Sequence, residues 1–173
     1  MKFLEKNLED IIYDSDNERL NQRGLPIKGA KLRQVRLGGY GVADLITIER
    51  EPVCSNNKYY GHNIHITIYE LKQSEIGYSA LGQCCRYQQA ITEIIEKYKP
   101  IGYKIYNYTI DMVLIGDQIT KGNDFCYVAN NDHFLRVYLY DYGLDGITFE
   151  LSTGWHKPLA LYDLITKLNK EPF

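Results

Sequence analysis

The stretch ITIYELKQ, residues 66–73, decides how the chain is read. Side chains alternate across a strand, so Ile66, Ile68, Glu70 and Lys72 share one face, and the isoleucines mark that face as buried. A carboxylate and an ammonium close it at one end. Taken back to HNIHITIYELK, the run predicts a strand whose even positions are Ile64, Ile66, Ile68, Glu70 and Lys72. Upstream, GVADLITIE predicts a partner strand with Val42, Asp44, Ile46 and Ile48 at its even positions. The segment from Arg50 to Gly61, with Pro52, Asn56, Asn57 and Gly61, predicts a long hairpin loop between them.

One register of that hairpin sets apolar residues against apolar residues. Ile48 faces Ile66, Ile46 faces Ile68, and Asp44 then faces Glu70. Cross-strand neighbours on one face have Cβ atoms roughly 4.5–5.5 Å apart. Two carboxylates held so closely at the rim of an apolar face repel each other and lose hydration. A hard divalent cation such as Mg²⁺, bound through carboxylate oxygens and waters, resolves the conflict. Lys72, one pleat further on, can place its ammonium beside a metal-bound water or a phosphate. The E-x-K triplet alone reads as a surface ion pair; Asp44 on the matching face turns the reading toward a metal.

Around this hairpin the pattern is mixed α/β. FLEKNLEDIIYD spaces Phe3, Leu4, Leu8, Ile11 and Ile12 as an amphipathic helix, and SDNERLNQRGLPIKG follows as a turn-rich connection. AKLRQVRLGG begins a strand. Apolar residues at 76, 80, 81, 84, 87, 91, 94, 95 and 98 predict a long helix ended by Pro100. IDMVLIG, FLRVYLYDYG and DGITFEL predict further strands, FCYVANN a short helix, and PLALYDLITKLN a closing helix with Pro158 in its first turn. No repeat or linker interrupts the chain, so residues 1–173 are expected to form a single domain. Its expected architecture is a central mixed β-sheet flanked by helices.

Composition narrows the setting. The chain has 173 residues, 45% hydrophobic and 24% charged, which suits a soluble globular domain. No apolar run is long enough to span a bilayer, and MKFLEKNLED is too charged for a signal peptide. Cys54, Cys84, Cys85 and Cys126 form no zinc spacing, and the adjacent pair suits no disulfide framework; a reducing, cytoplasmic setting is expected. The net charge of −2 argues against gripping nucleic acid by electrostatics alone. The 16 tyrosines, beside many Ile, Asn and Lys, fit an AT-rich bacterial or phage gene. His62, His65, His133 and His156 show no H-x-H or HExxH spacing, so no zinc site is expected.

Asp44 in GVADL and Glu70 and Lys72 in YELKQ together resemble the D…(D/E)xK signature of the PD-(D/E)XK nuclease superfamily. The acidic pair stands 26 residues apart (70 − 44), longer than the commonest versions, and the 50–61 loop accounts for the difference. GQCCRYQQA adds Gln83 and Tyr87 in the Q-x-x-x-Y arrangement of the RecB-like branch, four apart on one helix face. FLEKNLEDII resembles the E-x-x-L-E opening of related endonucleases, in which a first-helix glutamate reaches the metal. Glu5 is the better match and Glu9, one turn along, the substitute. LGGYGVAD resembles the glycine-containing turn that leads to the catalytic aspartate; with no following helix and no GK[ST], it is not a phosphate loop. The motifs cover roughly residues 3–90.

The resemblance implies a restriction-endonuclease-like core and a Mg²⁺-dependent deoxyribonuclease, with Mn²⁺ as a substitute, serving repair, recombination, restriction or defence. Glu5, Asp44, Glu70 and the carbonyl of Leu71 would hold the metal. Lys72 would orient or deprotonate the water or offset charge on the phosphate, and Gln83 and Tyr87 would position the strand or the ligands. Lys28, Lys31, Arg33 and Arg36, with Arg23 just before them, form the best basic cluster, which reads equally as a grip on DNA phosphates or as a solvated strand face. The alternating tyrosines (Tyr103, Tyr106, Tyr108; Tyr138, Tyr140, Tyr142) read as sheet packing rather than base-stacking groups. A homodimer is compatible with cutting both strands. The competing readings keep the fold but take RNA as substrate, or retain it as a non-catalytic binding module; the complete acidic and lysine set favours activity.

Overall fold

The computed structural model describes residues 5–98, 104–121 and 124–152. The expected contributions of Phe3, Leu4, Pro100, Tyr103 and His156, and of the closing helix begun at Pro158, lie outside these residues. In chain order the elements are α1 (Glu5–Asp14), α2 (Asn17–Gln22), β1 (Ala30–Arg36), a 3-10 turn (Gly38–Tyr40), β2 (Val42–Ser55), β3 (Lys58–Leu71) and β4 (Glu75–Ile76). They continue with α3 (Tyr78–Tyr98), β5 (Ile105–Gly116), β6 (Gln118–Ile119), α4 (Phe125–Asn131), β7 (Leu135–Gly143) and β8 (Gly146–Leu151).

Six strands make a mixed sheet in the order β1-β2-β3-β5-β7-β8. β1, β2 and β3 are antiparallel neighbours, β3, β5 and β7 run parallel, and β8 returns antiparallel to β7. β4 and β6 form a separate parallel pair. Helices cover both faces. On one, Ala80, Cys84, Tyr87, Ile91 and Ile95 of α3 and Phe125 and Ala129 of α4 pack on Ile46, Ile66, Ile68, Ile110 and Met112. On the other, Leu8 and Ile12 of α1 and Leu20 of α2 pack on Leu45, Tyr69, Leu71, Val113 and Ile115. Burial of the two apolar stripes, not helix propensity, holds these helices in place.

The hairpin departs from the expected long loop. β2 and β3 each run for 14 residues and turn at Asn56 and Asn57, whose φ values of 48° and 60° are both left-handed. Two consecutive positive-φ residues make the tight turn whose twist suits a hairpin, and Asn tolerates that backbone. Ser55 pairs with Lys58 across it. The 26-residue spacing therefore reflects long strands. Its register is the one expected from the isoleucines: Ile48 faces Ile66 and Ile46 faces Ile68.

The connection after α1 also differs from a plain turn, because it holds α2. The Asp16 side chain accepts the Arg19 backbone N–H at 2.7 Å, capping a helix of only 6 residues. Gly24 follows with φ +93°, and a Cβ built there would stand 2.0 Å from the Phe149 carbonyl oxygen. That approach lets the Phe149 N–H donate to the Arg23 carbonyl at 2.8 Å, fastening the α2 segment to β8. Gly24→Ala is expected to destabilise the chain by about 2–3 kcal/mol, measured as a lowered denaturation midpoint, because neither the backbone angle nor the space suits a side chain.

Candidate active site

The isoleucine face of β3 ends at Glu70, which is 1% exposed and whose charge reaches Cys84 and Tyr87 of α3. Its Oε1 accepts a hydrogen bond from the Lys72 ammonium at 2.6 Å. Its Oε2 is buried without a hydrogen-bond partner among the described residues. Burial pushes the Glu70 carboxyl up to about 7; the Lys72 hydrogen bond opposes that rise and the neighbouring Asp44 adds to it. Lys72 experiences the reverse balance. Burial works against its charge, but the Glu70 hydrogen bond and the fields of Glu70, Glu5 and Asp44 raise its pKa overall. Lys72 is therefore an ammonium at neutral pH. Its own N–H donates to the Ile115 carbonyl at 2.8 Å, anchoring the residue beyond the end of β3.

Asp44 meets this pair from β2. The last ladder pair before it is Leu45 with Tyr69, so the same register carries Asp44 opposite Glu70. Asp44 Oδ2 accepts the Leu71 backbone N–H at 2.9 Å. Burial raises its carboxyl, the Leu71 bond opposes the rise, and Glu5 contributes a like charge. One expected detail changes here. Strict alternation would bury Val42 with Ile46, yet Val42 is 38% exposed and Ala43 is buried in the α3-side core. The face therefore switches at Asp44.

Gln83 and Tyr87 stand on α3 over the start of β2. The Tyr87 hydroxyl donates to the Val42 carbonyl at 2.9 Å, and the Gln83 side chain hydrogen-bonds that hydroxyl. Burial raises the Tyr87 pKa and the charge of Glu70 adds to it, so the ring is neutral at any working pH. The Tyr87 ring also packs on Gly41, where a Cβ would lie 3.2 Å from its Cε1 and where φ is +118°. Tyr87 thus fixes the turn that delivers Asp44. Tyr87→Phe is expected to cost about 1 kcal/mol of stability and to loosen the β2 start, detectable as faster amide exchange around Val42 and Ala43.

α1 supplies two further carboxylates with different surroundings. Glu9 is buried, and both of its oxygens are taken: Oε1 by Arg33 Nε and Oε2 by Gln34 Nε2, the latter at 2.7 Å. Glu5 is exposed and makes no hydrogen bond or ion pair with another described residue, yet its field reaches Asp44, Glu70 and Lys72. The structure thus separates the two glutamates that helical spacing left open. Among the described residues, no three His, Cys, Asp or Glu side chains converge as a ready-made metal cage. The chemistry of the set still fits a hard cation, because Glu70 Oε2 is an acceptor with no donor among those residues and Asp44 stands across from it.

The basic cluster splits. Arg33 pairs with Glu9 and Asp10, and the Lys31 ammonium caps α1 through the carbonyls of Ile12 and Ser15. Arg23 donates to the carbonyls of Ile147 and Asp145. Lys28 and Arg36 are exposed and carry no ion pair with a described residue. Among the tyrosines, Tyr138 and Tyr140 are buried in the α1-side core, Tyr108 donates to Glu96, and Tyr106 and Tyr142 are exposed. Gln34, whose amide bonds Glu9, has no counterpart among the expected site residues. It is a polar residue within AKLRQVR and gives no local signal of its left-handed backbone.

No helix among the described residues is long and apolar enough to cross a membrane. No protein-family model, curated protein or solved structure matches this chain.

Proposed function

We propose that the chain is a metal-dependent nuclease with a restriction-endonuclease-like core, hydrolysing phosphodiester bonds in DNA. The observation that carries this reading is the buried Glu70 oxygen, without a partner among the described residues, on a strand end shared with Lys72 and faced by Asp44. A structural ion pair has no use for that arrangement, since an unpaired buried carboxylate oxygen costs stability. The order hairpin, long helix, parallel strand also agrees with the motif reading.

Glu5, Asp44, Glu70 and the Leu71 carbonyl would hold Mg²⁺ or Mn²⁺, which supplies Lewis acidity and an acidified water when bound. Asp44 and Glu70 present oxygens held by neighbouring backbone and ammonium groups, so the acceptors are already aimed. Lys72 is charged at neutral pH and acts as a donor that offsets negative charge growing on the phosphoryl oxygens; the base role is disfavoured by its raised pKa. Gln83 and Tyr87 hold the turn before Asp44. Lys28 and Arg36 are the exposed cations we assign to phosphate contacts, while Lys31 and Arg33 secure α1.

The test is a substrate panel with Mg²⁺ or Mn²⁺: supercoiled plasmid, linear duplex, single-stranded DNA, branched DNA and RNA, with Asp44→Ala beside the wild type. Metal-dependent cleavage of a DNA that Asp44→Ala fails to cut is expected. Cleavage of RNA alone would move the substrate and keep the site. Cleavage of nothing, together with no Mn²⁺ uptake in calorimetry, would leave a binding module.

A further inference from the structure

The ladder between β1 and β2 pairs Arg33 with Leu45 and Val35 with Ala43; Gln34 and Asp44 face each other between them without pairing. At this gap Gln34 has φ 50°, a left-handed backbone that is uncommon for a residue with a long side chain. The gap is also where each strand changes face. Val35 and Ala43 both turn to the α3-side core, whereas Leu45 packs on the α1 side. Because both strands change face across it, the gap sets the direction in which the residues within it project. Asp44 is one of them.

Something must hold the strained backbone, and α1 does. Gln34 Nε2 donates to Glu9 Oε2 at 2.7 Å, and Arg33 bonds the other oxygen of the same carboxylate. Glu9 is buried and sits one helical turn from Glu5 on a helix anchored by Leu8 and Ile12. We propose that Gln34 is a positioning residue: its left-handed backbone opens the ladder opposite Asp44, and its amide ties that opening to Glu9, so that the docking of α1 sets the aim of the Asp44 carboxylate. Glu9 then belongs to the support of the site rather than to the metal. This deepens the nuclease reading and rests on Asp44 being a metal ligand.

The test uses the full chain and Mn²⁺ as the probe. Gln34→Ala removes the amide and leaves a side chain poorly suited to a left-handed backbone. Gln34→Glu sets a second carboxylate against Glu9. The exchange Gln34→Glu with Glu9→Gln restores one amide–carboxylate hydrogen bond and the original net charge. Melting temperature, Mn²⁺ affinity by calorimetry and cleavage rate are measured for each. Both single variants are expected to lose about 10-fold or more in Mn²⁺ affinity, the size found when groups behind metal ligands are removed, and the exchange is expected to recover most of it. Recovery that follows the restored hydrogen bond and not the melting temperature separates positioning from bulk stability. Wild-type Mn²⁺ binding that Gln34→Ala keeps within about 2-fold, or single-variant losses that the exchange fails to recover, would overturn the positioning role alone. A wild type that takes up no Mn²⁺ would overturn both this role and the nuclease reading.

Discussion

Lys72→Ala is expected to lower metal-dependent cleavage by about 10²–10³-fold or more while leaving Mn²⁺ binding measurable. The ammonium stands 2.6 Å from Glu70 Oε1, and that contact and the surrounding carboxylates keep it charged. A fixed cation at the rim of a buried face acts where bulk water screens it least, so its loss is felt most where charge develops. The same variant strips Glu70 of its hydrogen-bond donor and leaves a buried carboxylate with neither oxygen paired among the described residues. Its melting temperature should therefore fall further below wild type at pH 8 than at pH 5, because protonated Glu70 has less need of the ammonium. Lys72→Arg keeps the charge but not the compact point contact, and partial activity is expected from it. Cleavage by Lys72→Ala at the wild-type rate would remove the lysine from the mechanism.

The second large effect is on stability without metal. The Glu70 carboxyl rises from 4.5 to about 7 on folding, chiefly through burial. Between those values the folded chain holds a proton that the unfolded chain has released, so stability falls as pH rises through this window and levels off above about 7. At about 1.4 kcal/mol for each tenfold change in proton affinity, the loss is about 3 kcal/mol. Asp44, also raised by burial, works in the same direction. Glu70→Gln should flatten the profile and, at pH 8 without metal, unfold at higher urea than wild type. Added Mn²⁺ should restore wild-type stability at pH 8 and do little for Glu70→Gln. Urea titrations from pH 5 to 8.5 check this; a wild-type profile that rises across the window would contradict it.

Much of this site is legible in the residues. The isoleucines of β2 and β3 fit the observed register, which carries Asp44 toward Glu70. The apolar repeat of α3 and its placement directly after Lys72 locate Gln83 and Tyr87. What stays hidden depends on partners distant in the chain. Spacing cannot tell the surroundings of Glu5 from those of Glu9, since both lie on one helix face; Arg33 and Gln34, on a strand packed beside that helix, occupy the Glu9 carboxylate. Lys31 and Arg33 look like a solvated stripe until α1 is laid against them. α2 gives no periodic signal, because it is short and buries only Leu20. The Asn56–Asn57 turn is masked in the sequence by the polar residues around it, although paired asparagines fit a left-handed turn well.

The placement of α1 has a consequence for motion. The helix packs on the face of the sheet opposite α3, while the charge of Glu70 reaches Cys84 on the α3 side. Ligands drawn from Glu5 and Glu70 would therefore bridge two separately packed layers around the end of the sheet. Amides of α1 should then open as a unit of their own in the metal-free chain, and a cation at 100 times its dissociation constant should slow that opening by up to about 100-fold, the equivalent of about 2.7 kcal/mol. Amide exchange across Glu5–Asp14 would thus report on occupancy of the site with no substrate present.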